Sequence, residues 1–103
     1  MTTQYNVAVK VLKEERRNAI VTSLQGYRIF TDRSGNLDGT NFSRETVPYI
    51  GDITIVKTLK KEAAEKAHEV LSEIEGLLVL PITESIWEQD KKSIDTLFAL
   101  KSA

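Results

Sequence analysis

Hydrophobic and polar side chains alternate over residues 4–12 at the start of the chain. In an extended backbone, Tyr5, Val7 and Val9 share one face, and the residues between them share the other. A period of two is typical of a strand with one face buried in a core. The pattern therefore predicts a half-buried N-terminal strand.

A second patterned region, Gly51–Ile82, predicts a strand, a helix and a strand in succession. The first segment is rich in β-branched residues, the second has apolar residues at helical spacing, and the third is almost continuously apolar. Thr58 suits the N-cap of the helix, and the last segment suits a strand covered on both faces. The predicted elements span residues 52–57, 59–75 and 77–82, a length that fits a β-α-β unit over 51–82.

Residues 19–32 support two interpretations. The favoured one is a pair of strands flanking a turn at Gln25-Gly26. Ile20, Val21 and Thr22 are consecutive β-branched residues, and no Ser, Thr, Asp or Asn stands where a helix would start directly after Lys13. This interpretation makes residues 4–32 an N-terminal antiparallel meander. The alternative is a helix, which produces a ferredoxin-like β-α-β-β-α-β order with an added helix.

The remaining segments complete the predicted fold. Residues 32–51 contain four of the glycine and proline residues together with Asp, Asn and Ser, which predicts a long irregular loop with room for a short hairpin. Ser85 and Glu88 form a capping-box pattern before a helical apolar stripe, which predicts a C-terminal helix over 85–100. The sequence thus predicts one α+β domain, residues 1–103, with a small mixed sheet.

Composition narrows the setting of the protein. The chain is 41% hydrophobic and 28% charged, with a net charge of −1, so no overall basic field attracts nucleic acid or anionic membranes. The chain contains no cysteine, which excludes disulfides, thiolate nucleophiles and cysteine zinc sites. The N-terminus lacks a signal-peptide pattern, and no apolar run approaches 18 residues. We expect a soluble cytoplasmic protein without membrane contact.

The first half of the chain holds all five arginines and five of the seven aromatic residues. Arginine and aromatic side chains are enriched at protein interfaces, and no catalytic or cofactor motif stands out. We therefore expect a non-enzymatic binding protein, such as a subunit, inhibitor or adaptor, that contacts another protein or a second copy of itself and needs no cofactor. The predicted contact residues are Arg28, Arg33, Phe42, Arg44 and Tyr49.

Two alternatives remain open at the level of sequence. The first is RNA or single-stranded DNA binding through a basic end of the meander, with Lys13, Arg16 and Arg17 on phosphates and Tyr27 stacking on a base. The second is a ligand- or calcium-responsive domain.

The calcium alternative rests on residues 34–45, which partly match the spacing of an EF-hand loop. The match fails at the first position, where serine replaces aspartate, and at the preceding segment, which predicts a strand. The oxygen ligands would come from Ser34, Asn36, Asp38 and Glu45.

Overall fold

The computed structural model describes residues 2–38 and 40–86. These residues form a five-stranded sheet with two helices, so the α+β class is confirmed. Every strand pairing among them is antiparallel, so the predicted mixed sheet is wrong. Short 3₁₀ turns at Glu14–Arg16 and Arg28–Phe30 flank the first helix. The elements in chain order are β1 (Thr3–Val11), α1 (Arg17–Gln25), β2 (Thr40–Val47), β3 (Gly51–Thr58), α2 (Lys61–Ser72), β4 (Leu77–Val79) and β5 (Thr83–Ile86).

The strand order in the sheet is β2-β3-β1-β4, and β5 also pairs with β1. Strands β4 and β5 follow one another along the same side of β1, β4 beside Val9–Val11 and β5 beside Thr3–Asn6. The predicted unit at 51–82 has its strand-helix-strand order, but β1 lies between its two strands. The chain therefore forms a split crossover that places β1 at the centre of the sheet.

Both helices pack on one face of the sheet. Val7 and Val56 lie opposite each other in register and meet Ile20 and Leu24 of α1 in one buried cluster. From α2, Ala64, Ala67 and Leu71 join the same cluster, each fully buried. The four-residue spacing of Ile20 and Leu24 places both side chains on the sheet side of α1.

The opposite face of the sheet is also buried, and its centre is apolar. Ala8, Ile53 and Ile55 form a second cluster there with Val47, each at most 1% exposed. Polar residues lie beside this cluster, where the fully buried Asn6 donates a hydrogen bond of 3.1 Å to Ser85 Oγ. The centre of the sheet is therefore buried on both faces, whereas Arg44 and Asp52 on the β2–β3 hairpin are exposed.

The predicted meander over 4–32 is wrong, because Ala19–Leu24 lies within α1. No side chain caps the N-terminus of this helix, which is why the helix start was hard to recognise from sequence. The burial of Ile20 and Leu24 between sheet and helix outweighs the strand preference of three β-branched residues. The observed element order through β4 is the order of the alternative interpretation.

Three further predictions are corrected. The irregular loop at 32–51 contains β2, which forms a hairpin with β3. Thr58 belongs to β3 rather than capping α2, and its hydroxyl donates to the carbonyl oxygen of Lys60. The strand at 77–82 is short and lies at an edge, with Leu78 47% exposed, so it is not covered on both faces.

The predicted C-terminal helix over 85–100 is wrong at its first two residues. Ser85 and Ile86 pair with Gln4 and Thr3 as part of β5. The rest of the predicted helix lies outside the described residues.

Candidate functional site

A groove of about 280 Å³ runs between α1 and β2 on the helix face of the sheet. Its apolar lining comes from Ile20 and Val21 on the helix and from Phe42 on the strand, and Arg17 and Arg44 flank it. This combination of an apolar lining with directed cationic donors is typical of a surface that binds another molecule.

Helical geometry explains why the groove has an apolar lining. Ile20 is 1% exposed and belongs to the core, whereas the next residue, Val21, turns outward and is 37% exposed. Phe42 lies opposite Val56 in the hairpin register and packs partly against the same core. The groove is therefore an open extension of the hydrophobic core.

Both flanking arginines are held in place by carboxylates. Arg17 donates two hydrogen bonds to Glu14, from Nε to Oε1 at 2.6 Å and from Nη2 to Oε2 at 3.0 Å. Arg44 donates from Nη2 to Asp52 Oδ2 at 3.0 Å, and the Thr46 hydroxyl donates to the other carboxylate oxygen at 2.9 Å. These contacts orient the two guanidinium groups at the groove, and both ion pairs stay open to solvent.

The same contacts lower the pKa of both carboxyl groups. The hydrogen bonds from Arg17 lower the pKa of Glu14, and its positive charge adds to the effect. For Asp52, the hydrogen bond from Thr46 lowers the pKa first, followed by the hydrogen bond and the charge of Arg44. Both carboxylates are therefore ionised at neutral pH.

The five predicted contact residues do not form one surface. Phe42 and Arg44 meet in the groove. Arg28 and Arg33 line a separate depression of about 450 Å³, and neither makes an ion pair with another residue in the described ranges. Tyr49 lies in the β2–β3 turn, 91% exposed with a positive φ of 67°. Residues 28–33 lie near the beginning of β2, because the backbone N–H of Asp38, just before the strand, donates to the Phe30 carbonyl. Tyr49 follows the other end of β2, about 23 Å away along the strand.

The residues predicted to contact nucleic acid are also dispersed. Lys13 forms an ion pair with Glu75 at 2.6 Å, and Arg17 is engaged by Glu14. The aliphatic part of Arg16 lies against Gly76. Tyr27 follows the other end of α1, about 13 Å along the helix axis, with the Lys66 amino group 4.8 Å from its ring centroid.

The predicted calcium ligands lie on two different elements. Ser34, Asn36 and Asp38 belong to the turn before β2, where Asp32 Oδ1 accepts hydrogen bonds from the backbone of Ser34 and Asn36. Glu45 lies inside β2 and is 3.5 Å from the Lys57 amino group. Within the described ranges, no three His, Cys, Asp or Glu side chains are grouped to hold a metal ion.

Sequence reasoning missed the contribution of α1 to the groove. Ile20 and Val21 were assigned to a strand, and Arg17 was assigned to nucleic-acid contact. The four-residue spacing of Arg16, Ile20 and Leu24 is the signal in the sequence that indicates a helix here.

The comparisons give this chain no relatives: no protein-family model, no curated protein and no solved structure matches it. Among residues 2–38 and 40–86, no helix is long and apolar enough to cross a membrane. The function is therefore inferred from the geometry of the groove and of β2.

Proposed function

We propose that this protein is a small non-enzymatic binding protein that acts through protein–protein contacts at the groove between α1 and β2. The observation that carries the proposal is the apolar lining of Val21 and Phe42 between two arginines held by ion pairs. Binding energy at protein interfaces concentrates in a few apolar anchors and arginines of this kind.

The ion pairs favour a protein partner for an energetic reason. Immobilising a long side chain on binding costs about 0.5–1.5 kcal/mol, and arginines that are already fixed lose less of their freedom. Their charges are also already balanced by Glu14 and Asp52. The groove therefore fits a partner with a mainly apolar contact surface and hydrogen-bond acceptors at its rim.

Nucleic-acid binding has weaker support. Lys13 and Arg17 are paired with carboxylates, and Tyr27 lies at the far end of α1. Binding of a polyanion needs several uncompensated cations along one track. A calcium-responsive function has weaker support as well, since its proposed ligands lie on two elements.

We also propose that the element order reflects a ferredoxin-like arrangement, with β5 as an addition. The order β1-α1-β2-β3-α2-β4 and the strand order β2-β3-β1-β4 support this assignment. The absence of cysteine supports a reducing compartment such as the cytoplasm.

Light scattering after size exclusion, combined with affinity capture from a cell lysate, tests the proposed function. We expect the wild-type chain to form a complex, seen either as a mass above 11.6 kDa or as a retained protein. Val21→Asp places a charge in the apolar lining and should abolish that complex without unfolding the chain, since Val21 is 37% exposed.

A matched control is Leu78→Asp, which replaces another exposed apolar residue on β4, at the other side of the sheet. This variant should keep the complex. A wild-type chain that stays at the monomer mass and retains nothing would refute the proposal, as would equal complexes of wild type and Val21→Asp.

A further inference from the structure

The two edges of the sheet differ in how well they are protected against pairing. On one side, β4 and β5 have three and four residues and are separated by Leu80–Ile82, which contains Pro81. On the other side, β2 pairs with β3 through eight consecutive residues without a bulge. A long regular edge without proline or lysine is a template for pairing with another strand.

The charged residues of β2 do not protect this edge against pairing with another strand. Arg44 is held towards β3 by Asp52 on the helix face, and Glu45 lies 3.5 Å from Lys57 on the other face. Charges that protect an edge strand normally remain free to repel an approaching strand. Here the side chains are neutralised within the hairpin, so the outer backbone groups of β2 remain approachable among the described residues.

The sequence of β2 favours a second copy of itself as the added strand. In a continuous antiparallel sheet, directly opposite residues share one face. The two-fold axis that relates two β2 strands must therefore lie midway between the two copies of one residue, here called an axis through that residue. An axis through Ser43 pairs residues 40–46, seven of the eight residues of β2. An axis through Arg44 pairs residues 41–47 but places two arginines directly opposite each other, which is unfavourable.

The register centred on Ser43 places compatible side chains opposite each other on both faces. On the helix face, Phe42 lies opposite Arg44 of the other copy, so the ring can pack on the aliphatic part of that side chain while its guanidinium stays with Asp52. On the other face, the neutral Asn41 lies opposite Glu45, whose charge is balanced by Lys57, so no like charges face each other. Both pairs occur twice because of the symmetry.

We infer that β2 pairs with β2 of a second copy in an antiparallel register centred on Ser43, joining two sheets into one. The inference rests on the proposed function, because it identifies the protein that binds at the surface formed by α1 and β2 as a second copy of the chain. The groove beside Phe42 lies along this junction, so contacts between the copies extend from the backbone edge into its apolar lining.

Single cysteines test the register directly, because the chain has no native cysteine. In Ser43→Cys the two thiols face each other across the axis, with Cβ atoms about 4.5–5.5 Å apart. In the control Thr46→Cys they are six residues out of register, about 20 Å apart. Under mild oxidation we expect Ser43→Cys to form a covalent dimer about tenfold or more faster, because pairing raises the effective thiol concentration.

Exposure alone predicts the opposite order, since Thr46 is exposed and Ser43 is only partly so. Equal or faster cross-linking of Thr46→Cys would therefore overturn the inference. If Ser43→Cys folds poorly, a mixture of Asn41→Cys and Glu45→Cys chains should cross-link faster than either chain alone, and a mixture with no such advantage would also overturn it.

The outcome is separable from that of the proposed function. A monomeric wild-type chain whose Ser43→Cys variant does not cross-link, but which captures a different protein in a Val21-dependent manner, overturns this inference and leaves the binding function in place. A chain that neither cross-links nor captures a protein refutes both.

Discussion

Gly76 connects the end of α2 to β4 and lies against the segment that leads into α1. Its φ is 92°, and its carbonyl oxygen accepts hydrogen bonds from the backbone of Leu12 at 2.8 Å and of Lys13 at 3.2 Å. A Cβ atom at this position would lie 2.9 Å from Arg16 Cγ and 3.1 Å from Lys13 Cβ. Gly76→Ala therefore strains both the backbone and the packing of the β1–α1 connection.

The magnitude can be separated into two parts with Gly35 as a matched control. Gly35 has a similar φ of 84°, but a Cβ there would meet nothing within 4 Å. Gly35→Ala should cost only the left-handed backbone conformation, about 1–2 kcal/mol. Gly76→Ala should cost a further 1–3 kcal/mol, roughly the penalty for overpacking, because Lys13 cannot retreat without stretching its hydrogen bond to Gly76.

Urea denaturation, monitored by circular dichroism, measures the free energy of unfolding of each of the two variants. The difference between the two variants should appear as a lower midpoint for Gly76→Ala with an unchanged slope. If Gly76→Ala is no less stable than Gly35→Ala, the close packing of the α2–β4 turn on residues 13–16 is refuted.

Two further predictions concern α1 and the charged rim of the groove. Leu24→Ala should lower the free energy of unfolding by about 2–5 kcal/mol, and Thr22→Ala should change it by less than about 0.5 kcal/mol, because Leu24 is fully buried and Thr22 is exposed. If this segment were a strand, Thr22 and Leu24 would lie on the same face. Similar decreases in the free energy of unfolding for the two variants, measured by urea denaturation, would therefore argue against the helix. Because the folded-state pKa values of Glu14 and Asp52 are lowered, their stabilising contribution should be complete above about pH 5 and lost as pH falls through those lowered values. The stability difference between wild type and Asp52→Asn should therefore shrink in acid, and a pH-independent difference would contradict this.

The elements with a clear period were predicted close to their observed bounds. The alternation at 4–12 became β1, and the helical spacing at 59–75 became α2. These patterns are reliable because each element buries one face in the core. The start of α2 was misplaced at Thr58 because the sequence cannot show that this residue still pairs with Tyr5 in the sheet.

The elements that were missed owe their structure to tertiary contacts. Helix α1 lacks a side-chain cap and contains three consecutive β-branched residues at 20–22, so the burial of Ile20 and Leu24 determines it. For strand β2, the flanking glycines and Pro48 predict a loop, and Phe42 is the only apolar residue in 40–46, so no clear alternation marks the strand. The groove lies between these two elements. Composition alone indicated Phe42 and Arg44 as contact residues, but Ile20 and Val21 could be placed beside them only once α1 was known to be a helix.

The most direct test of the central claim, that two copies associate through the surface formed by α1 and β2, is a dilution series of amide NMR spectra of the nitrogen-labelled wild-type chain. We expect concentration-dependent shifts concentrated in residues 17–21 and 40–47, because the two β2 edges separate on dilution. Shifts that map instead to β4 and β5, or spectra that do not change while light scattering reports only the 11.6 kDa monomer, would contradict self-association through this flank.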